Sequence, residues 1–438
     1  MKIPRRIASA VINSLKGGVV PRIGLPYITV GREQEINALL RDVEIIAEGG
    51  ASFRFIVGKY GSGKSFLLQT IRNYVMDRNF VVVDADLSPE RRLQGTRGQG
   101  LATYKELIRN MSTKTRPEGG ALTLILDRWI SNVQSEAAAE SGMAPGDPAF
   151  AALVEKRIYA VIQSLNELVH GFDFARLLTL YYRSYVDGDD EAKAKVVKWF
   201  RGEYANKTEA RAELGVNIVI TDDDWYEYLK LFAMFLKRAG YSGMMILIDE
   251  LVNIYKIPNS ITRQYNYEKI LTMYNDTLQG KAQYLGIIMS GTPQCIEDRR
   301  RGVYSYEALR SRLAEGRFGR EEYRDMLAPV IRLAPLTNEE MLVLIEKLAD
   351  IHAGLFDYER TLTQEDLITF IKIEFGRIGA DAHITPREVI RDFIELLDIV
   401  CQNPDLKVAD LLGSEQFEYA KTPVDSEPVE ESFTEFEI

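Results

Sequence analysis

Two cysteines and three histidines in 438 residues leave little material for zinc ligation or covalent cross-linking. Cys295, Cys401, His170, His352 and His383 stand far apart, so neither a zinc site nor a disulfide framework is indicated. A reducing compartment is implied. Long apolar runs are also lacking. The stretch IASAVINSL, behind Lys2, Arg5 and Arg6, faintly resembles a signal peptide, but Asn13 and Lys16 interrupt it. No later run approaches the roughly 20 residues that a membrane span needs, so a soluble cytoplasmic protein with no membrane partner is expected. A basic excess is missing too, because the formal net charge is −10, which argues against a chain that coats nucleic acid by bulk electrostatics. Part of that charge is local: Asp425, Glu427, Glu430, Glu431, Glu435 and Glu437 crowd the last residues with no basic neighbour. A basic patch elsewhere stays compatible with the composition. No repeat of fixed period is present.

What is present is a core-forming globular chain, 46% hydrophobic and long enough for two or three structural units. Its organising stretch is FRFIVGKYGSGKS, Phe53 to Ser65. An apolar strand-like run leads into G-x-x-x-x-G-K-S, and an amphipathic helix follows from Ser65 to Asn79. Triphosphate oxygens need several aligned N–H donors, and Gly58, Gly61 and Gly63 let the backbone curl close enough to supply them. Lys64 then falls where an ammonium reaches the β- and γ-phosphates. Ser65 falls where a hydroxyl ligates Mg²⁺ at the positive end of the helix. The expected nucleotide contacts are Gly58, Lys59, Tyr60, Gly61, Ser62, Gly63, Lys64, Ser65 and Phe66. A glycine turn without a ligand is the competing explanation.

Upstream, residues 5 to 16 predict a short helix and GGVVPRIGLP a turn-rich connector. In VGREQEINALLRDVEIIAEGG, Ile36, Leu39, Leu40, Val43 and Ile46 recur at helical spacing, and Gly49-Gly50 delivers the chain straight into the Phe53 strand. That places Val30, Gly31 and Arg32 near the nucleotide, with plain packing under the sheet as the alternative. Phe80 to Leu87 predicts a second buried strand. A long helical tract follows: Leu101–Met111, Ala121–Glu140, Phe150–Val169, Phe174–Val186, Glu191–Phe200 and Trp225–Ala239. About 185 residues separate Lys64 from Asp249, whereas one βαβ unit needs about 30. An accessory helical subdomain between the second and third strands is the simplest explanation, and partner or DNA contact is its expected use.

The sheet resumes at Met244 to Ile248 and ends in Asp249-Glu250, as expected of a buried strand whose C-terminal end faces a triphosphate. Asp249 would hold Mg²⁺ through its water shell, and Glu250 would polarise the attacking water. Tyr284 to Met289 is a fourth strand running into Ser290-Gly291-Thr292-Pro293. A hydroxyl there would sit between the carboxylates and the γ-phosphate, Thr292 being the better candidate and Ser290 the second. Arg299, Arg300 and Arg301, then Arg310, Arg312, Arg317, Arg320 and Arg324, precede a fifth strand at Pro329 to Leu336. Such arginines are as readily a solvated face. Thereafter the pattern is helical, with a capping-box start at Thr337 and Glu340 and a Thr385-Pro386 cap ahead of Arg387.

This order of parts resembles an AAA+ ATPase, nearest the origin-recognition and signal-transduction branch that carries a VGRE-type segment before the first strand. The resemblance implies an α/β fold: a five-stranded parallel sheet with helices on both faces, a long helical insertion and a C-terminal helical lid. The implied domains are an N-terminal helix and connector (1–29), a nucleotide-binding core (30–99 and 240–336), an insertion (100–239), a lid (337–412) and an acidic, disordered tail (413–438). It further implies a sensor arginine at Pro386-Arg387 and a trans-acting arginine finger, best matched by Arg312 with Arg310 as fallback. More narrowly, VGREQE (30 to 35), GKYGSGKSFLL (58 to 68), KWFRGEYANKTEARAELGV (198 to 216), GYSGMMILIDEL (240 to 251), SGTPQCIEDRRRGVYSYEALRSRL (290 to 313) and TPREVIRDF (385 to 393) resemble the ATP-binding protein of bacterial BREX phage-defence systems. Lys59 departs from that family, which usually has an acidic residue there.

The resemblance implies hydrolysis of ATP with Mg²⁺ inside a homo-oligomer that works with other defence proteins and with double-stranded DNA. Under it, Lys64, Glu250, Thr292, Arg312 and Arg387 would be catalytic, and Ser65 and Asp249 would hold the metal. A nucleotide-dependent switch or scaffold that hydrolyses slowly is the competing function. A sequence-specific DNA binder fits poorly, since too few residues follow the lid for an appended winged helix.

Overall fold

The structure, a computed structural model, describes residues 3–144, 146–165, 169–314, 316, 324–376, 385–406 and 408–412. They divide into two compact units, Val20–Leu336 and the described residues of Met1–Val19 with Thr337–Ile438.

The larger unit is built on five parallel strands: β1 (Ala51–Val57), β2 (Val81–Asp86), β3 (Met244–Asp249), β4 (Leu285–Gly291) and β5 (Val330–Arg332), ordered β2-β3-β4-β1-β5. This five-stranded parallel α/β sheet is consistent with a P-loop AAA+ fold. Both faces are covered, which is why the strands read as unbroken apolar runs. Alternate residues serve opposite layers. Ile56, Val82, Met245, Leu247 and Ile288 pack under helices Glu33–Ala47 and Lys64–Asp77, while Phe55, Val83, Ile246 and Ile287 face the other side. The register sets Val57 beside Gly291 and Asp86 beside Asp249, so the strands leave the sheet level with one another.

Each helix expected between β2 and β3 is present, and Lys207–Leu214 adds one that hydrophobic spacing does not reveal, since Ala210 is its one buried residue. Asn206 caps its start by accepting from Glu209 N–H at 2.9 Å, and Lys198 pairs with Glu209 at 2.6 Å. The helical tract does not wrap a core of its own. Buried residues run without a break from Val83 through Leu107, Trp129, Phe174 and Phe200 to Phe232 and Ile246. The WFRGE stretch is a packing device within that core. Trp199 donates Nε1–H to the Ile218 carbonyl at 2.9 Å and lies edge-on to Tyr228. Gly202 turns at φ 69°, and a Cβ there would press on Leu101 Cδ1 at 3.0 Å and on the Tyr104 ring.

The smaller unit holds helices Arg5–Lys16, Asn338–Phe356, Gln364–Gly376, Pro386–Gln402 and Val408–Leu412. Capping boxes at Thr337/Glu340 and Thr385/Glu388 start two of them. Lys16 Nζ donates to Asp398 at 2.6 Å, binding the N-terminal helix to Pro386–Gln402. Asp398 also meets His352 Nε2 at 3.1 Å, and His352 Nδ1 lies 3.0 Å from the Tyr358 hydroxyl. Arg317, Arg320 and the acidic tail from residue 413 lie outside the described residues. Among the described residues, no helix is long and apolar enough to cross a membrane.

Candidate active site

The site lies at the C-terminal ends of the strands, where β1 turns through Gly58 to Gly63 into helix Lys64–Asp77. Gly61 and Gly63 turn at φ 78° and 87°, a left-handed backbone that side chains disfavour. Gly58 is required sterically: a Cβ there would collide with the Ser62 hydroxyl and crowd Leu333 Cβ at 3.2 Å. The helix opens with no side-chain cap, so its first-turn N–H groups and the positive dipole end serve the loop. Lys64 Nζ bends back onto the loop and donates to the Gly58 and Lys59 carbonyls at 2.9 and 3.0 Å. Burial lowers its pKa, and the nearby charges of Asp249 and Glu250 oppose that shift. Tyr60 is exposed at the crest of the loop.

Arg32 is buried behind this loop. Its Nη2 donates to the Ser62 carbonyl at 2.9 Å and to the Ala334 carbonyl, just past β5, at 2.8 Å. Nη1 lies 3.8 Å from Glu35, which also pairs with Arg324 at 3.1 Å. The guanidinium therefore braces the phosphate loop, whereas Gly31 is exposed and Val30 half-buried.

Asp249 is the hub of the polar groups. Ser65 Oγ donates to its Oδ2 at 2.8 Å, although the two residues are 184 positions apart. The Glu250 N–H donates to its Oδ1 at 2.8 Å, and the buried Ser290 hydroxyl donates to the same oxygen. Of the two hydroxyls considered at the end of β4, Ser290 is thus the one at the carboxylate, while Thr292 Oγ1 lies 3.0 Å from Cys295 Sγ. Glu250 stands in the left-handed region at φ 64°, with its side chain exposed. Asp86, not singled out from the sequence, ends β2 beside Asp249. Its carboxyl is pushed up to about 6, first by desolvation, then by the negative charges of Asp249, Asp84 and Glu250. The signal was available in VVVDADL, where Asp86 shares the strand face of Asp84 and Val82.

The arginines are distributed. Arg312 is exposed near the end of helix Glu307–Leu313 and donates to the Ala308 carbonyl at 2.7 Å; Arg310 lies 3.6 Å from Glu307. Arg301 lies over the Tyr255 ring and donates to the Tyr255 carbonyl at 3.3 Å, while Arg299 and Arg300 are exposed. Arg387 belongs to the smaller unit, in the first turn of Pro386–Gln402, with its stem beside Gly18.

Magnesium prefers hard oxygen donors, usually one or two carboxylates together with substrate phosphates and water. A serine hydroxyl and a carboxylate already in contact beside a phosphate loop fit that donor set. Ser65 and Asp249 are the residues that would hold the ion.

A family model described as BREX system ATP-binding protein BrxC/D matches residues 3–416 of the chain. No curated protein matches it.

Proposed function

The chain belongs to the BREX system ATP-binding protein family, and from that premise we propose that it hydrolyses Mg-ATP to drive assembly or remodelling of a phage-defence complex on DNA. ATP binding in phage defence is the role that the family carries. The observation that best supports hydrolysis is the meeting of Ser65 with Asp249, with Glu250 exposed immediately beyond.

In this proposal the backbone N–H groups of Gly61 to Phe66 hold the phosphates, and Lys64 swings from its loop carbonyls to the charge developing on the transferring phosphoryl group. When bound, Mg²⁺ would neutralise phosphate charge beside Ser65 and Asp249. Glu250 orients the attacking water and accepts its proton, and Ser290, more than Thr292, reports the γ-phosphate to Asp249. Val30 and Gly31 flank the base of the nucleotide. Arg387 acts as the lid sensor, and Arg312, being exposed, serves a neighbouring copy in trans. Turnover then depends on homo-oligomerisation, on other defence proteins and on double-stranded DNA, in the cytoplasm.

The test is calorimetry with Mg-ATP on the pure, folded protein, followed by ATPase rate against protein concentration with and without double-stranded DNA. Saturable uptake with a concentration-dependent, DNA-stimulated rate is expected. No uptake of Mg-ATP defeats the proposal outright. Tight uptake with negligible turnover in every condition would instead identify a nucleotide-set switch.

A further inference from the structure

We propose that Asn253 is the positioning residue that holds Glu250 in place for catalysis, an inference that rests on the assignment of Glu250 as the water-orienting base. Glu250 adopts a left-handed backbone, φ 64°, that a residue with a side chain keeps only where its surroundings over-determine it. Those surroundings can be traced bond by bond. The Glu250 N–H is committed to Asp249 Oδ1 at 2.8 Å, and the Leu251 N–H to the Ser290 carbonyl on β4 at 3.1 Å. The Glu250 carbonyl accepts from Asn253 twice, from its N–H at 3.0 Å and from its side-chain Nδ2 at 3.4 Å.

The same Nδ2 donates to the Leu87 carbonyl at 2.8 Å, and Leu87 N–H donates to the Asp249 carbonyl at 3.1 Å. Asn253 thus ties the Glu250 turn to the exit of β2, just as Leu251 ties it to β4. Without the amide, Asp249 keeps its bond from the Leu87 N–H and the turn keeps its β4 anchor, but the Glu250 carbonyl loses its side-chain link to the exit of β2. The phosphate loop, the Ser65–Asp249 contact and the Ser290 bond involve no atom of Asn253. Loss of the amide therefore falls on the placement of the Glu250 carboxylate and spares the grip on phosphate. If Asn253 merely satisfied a strand-end carbonyl, its loss would lower stability and leave the rate constant alone.

The experiment compares Asn253→Ala and Asn253→Asp with wild type in the full chain. It reads kcat, the Mg-ATP dissociation constant by calorimetry, and amide exchange over residues 249–255. Expected are a 10- to 100-fold fall in kcat, a dissociation constant within twofold of wild type, and faster exchange at Glu250 and Leu251. Asn253→Asp, similar in size but turning a carboxylate toward the Leu87 carbonyl, should fall at least as far as Asn253→Ala. Wild-type kcat in both variants overturns the proposal, as does a parallel loss of affinity and rate. Should wild type bind ATP and never hydrolyse it, the base assignment of Glu250 fails and the proposal falls with it. Unchanged exchange at the turn, by contrast, overturns the role of Asn253 alone.

Discussion

Ser65 Oγ and Asp249 Oδ2 lie 2.8 Å apart, so the start of the phosphate-loop helix and the end of β3 share one hydrogen bond. The groups proposed to flank a divalent ion therefore stand side by side. Asp249→Asn should weaken ATP binding about 10- to 100-fold in the presence of magnesium and much less in EDTA, because a neutral amide is a poor partner for a hard cation. Calorimetry with and without the metal reads that difference. Equal losses under both conditions would make Asp249 a packing residue.

Glu250 invites two opposite substitutions. Glu250→Gln should retain Mg-ATP and lose hydrolysis by about 10²- to 10⁴-fold, the range of a general base. Glu250→Gly should also abolish turnover, yet gain about 0.5–1 kcal/mol of stability by removing a side chain from the left-handed region at φ 64°. The thermal midpoint would rise by about 1–3 °C. Wild-type turnover in the glutamine variant, or a lower midpoint in the glycine variant, would contradict the respective assignment.

Arg32 joins the Ser62 and Ala334 carbonyls through one nitrogen, Nη2, while Nη1 faces the buried Glu35. Arg32→Ala leaves the Ser62 and Ala334 carbonyls and one side of the buried Glu35 without their donor, a loss of about 3 kcal/mol in chemical denaturation. ATP affinity should fall with it, since the loop loses its brace. Arg32→Lys should recover only part of either, because one ammonium on a shorter stem replaces two nitrogens that face the carbonyls and Glu35 separately. Full affinity in a stable Arg32→Ala protein would leave Arg32 no part in shaping the loop.

The smaller unit should be sensitive to mild acid through His352. This side chain is fully buried, and burial lowers its pKa from the usual 6.5 despite the hydrogen bond to Asp398. An ionised Asp398 only accepts, so Nε2 carries the proton and Nδ1 accepts from Tyr358. Because the unfolded chain binds the proton more readily, the contribution of His352 is complete above about pH 6.5 and is lost as pH falls through the lower folded value. Asp398 adds to the same trend only at lower pH. Burial alone would raise its pKa, but hydrogen bonds from Lys16 and His352 leave it below the usual 3.8. Denaturation of the full chain between pH 8 and 5.5 should show the loss, with His352→Gln flattening the profile. An unchanged slope in that variant would remove His352 as its source.

What the sequence determined by itself was local chemistry. The spacing of Gly58, Gly61, Gly63, Lys64 and Ser65 is a backbone instruction that needs no distant partner, and the apolar runs before Gly58 and Asp249 place both at strand ends. The capping boxes at Thr337 and Thr385 are equally local. Tertiary structure decided everything that depends on which segments meet. Asp249 meets the Ser290 hydroxyl because the β3–β4 register sets Ile248 beside Met289 and so brings Ser290 level with Asp249, a choice between Ser290 and Thr292 that a strand-end pattern does not distinguish. Arg32, expected near the nucleotide, takes up a bracing contact because Ser62 and Ala334, remote in sequence, both offer it carbonyls. The N-terminal helix joined the C-terminal unit through Lys16 and Asp398, and the inserted helices merged with the sheet's core, because burying apolar area rewards contact irrespective of chain distance, and contact between remote segments leaves no trace in spacing.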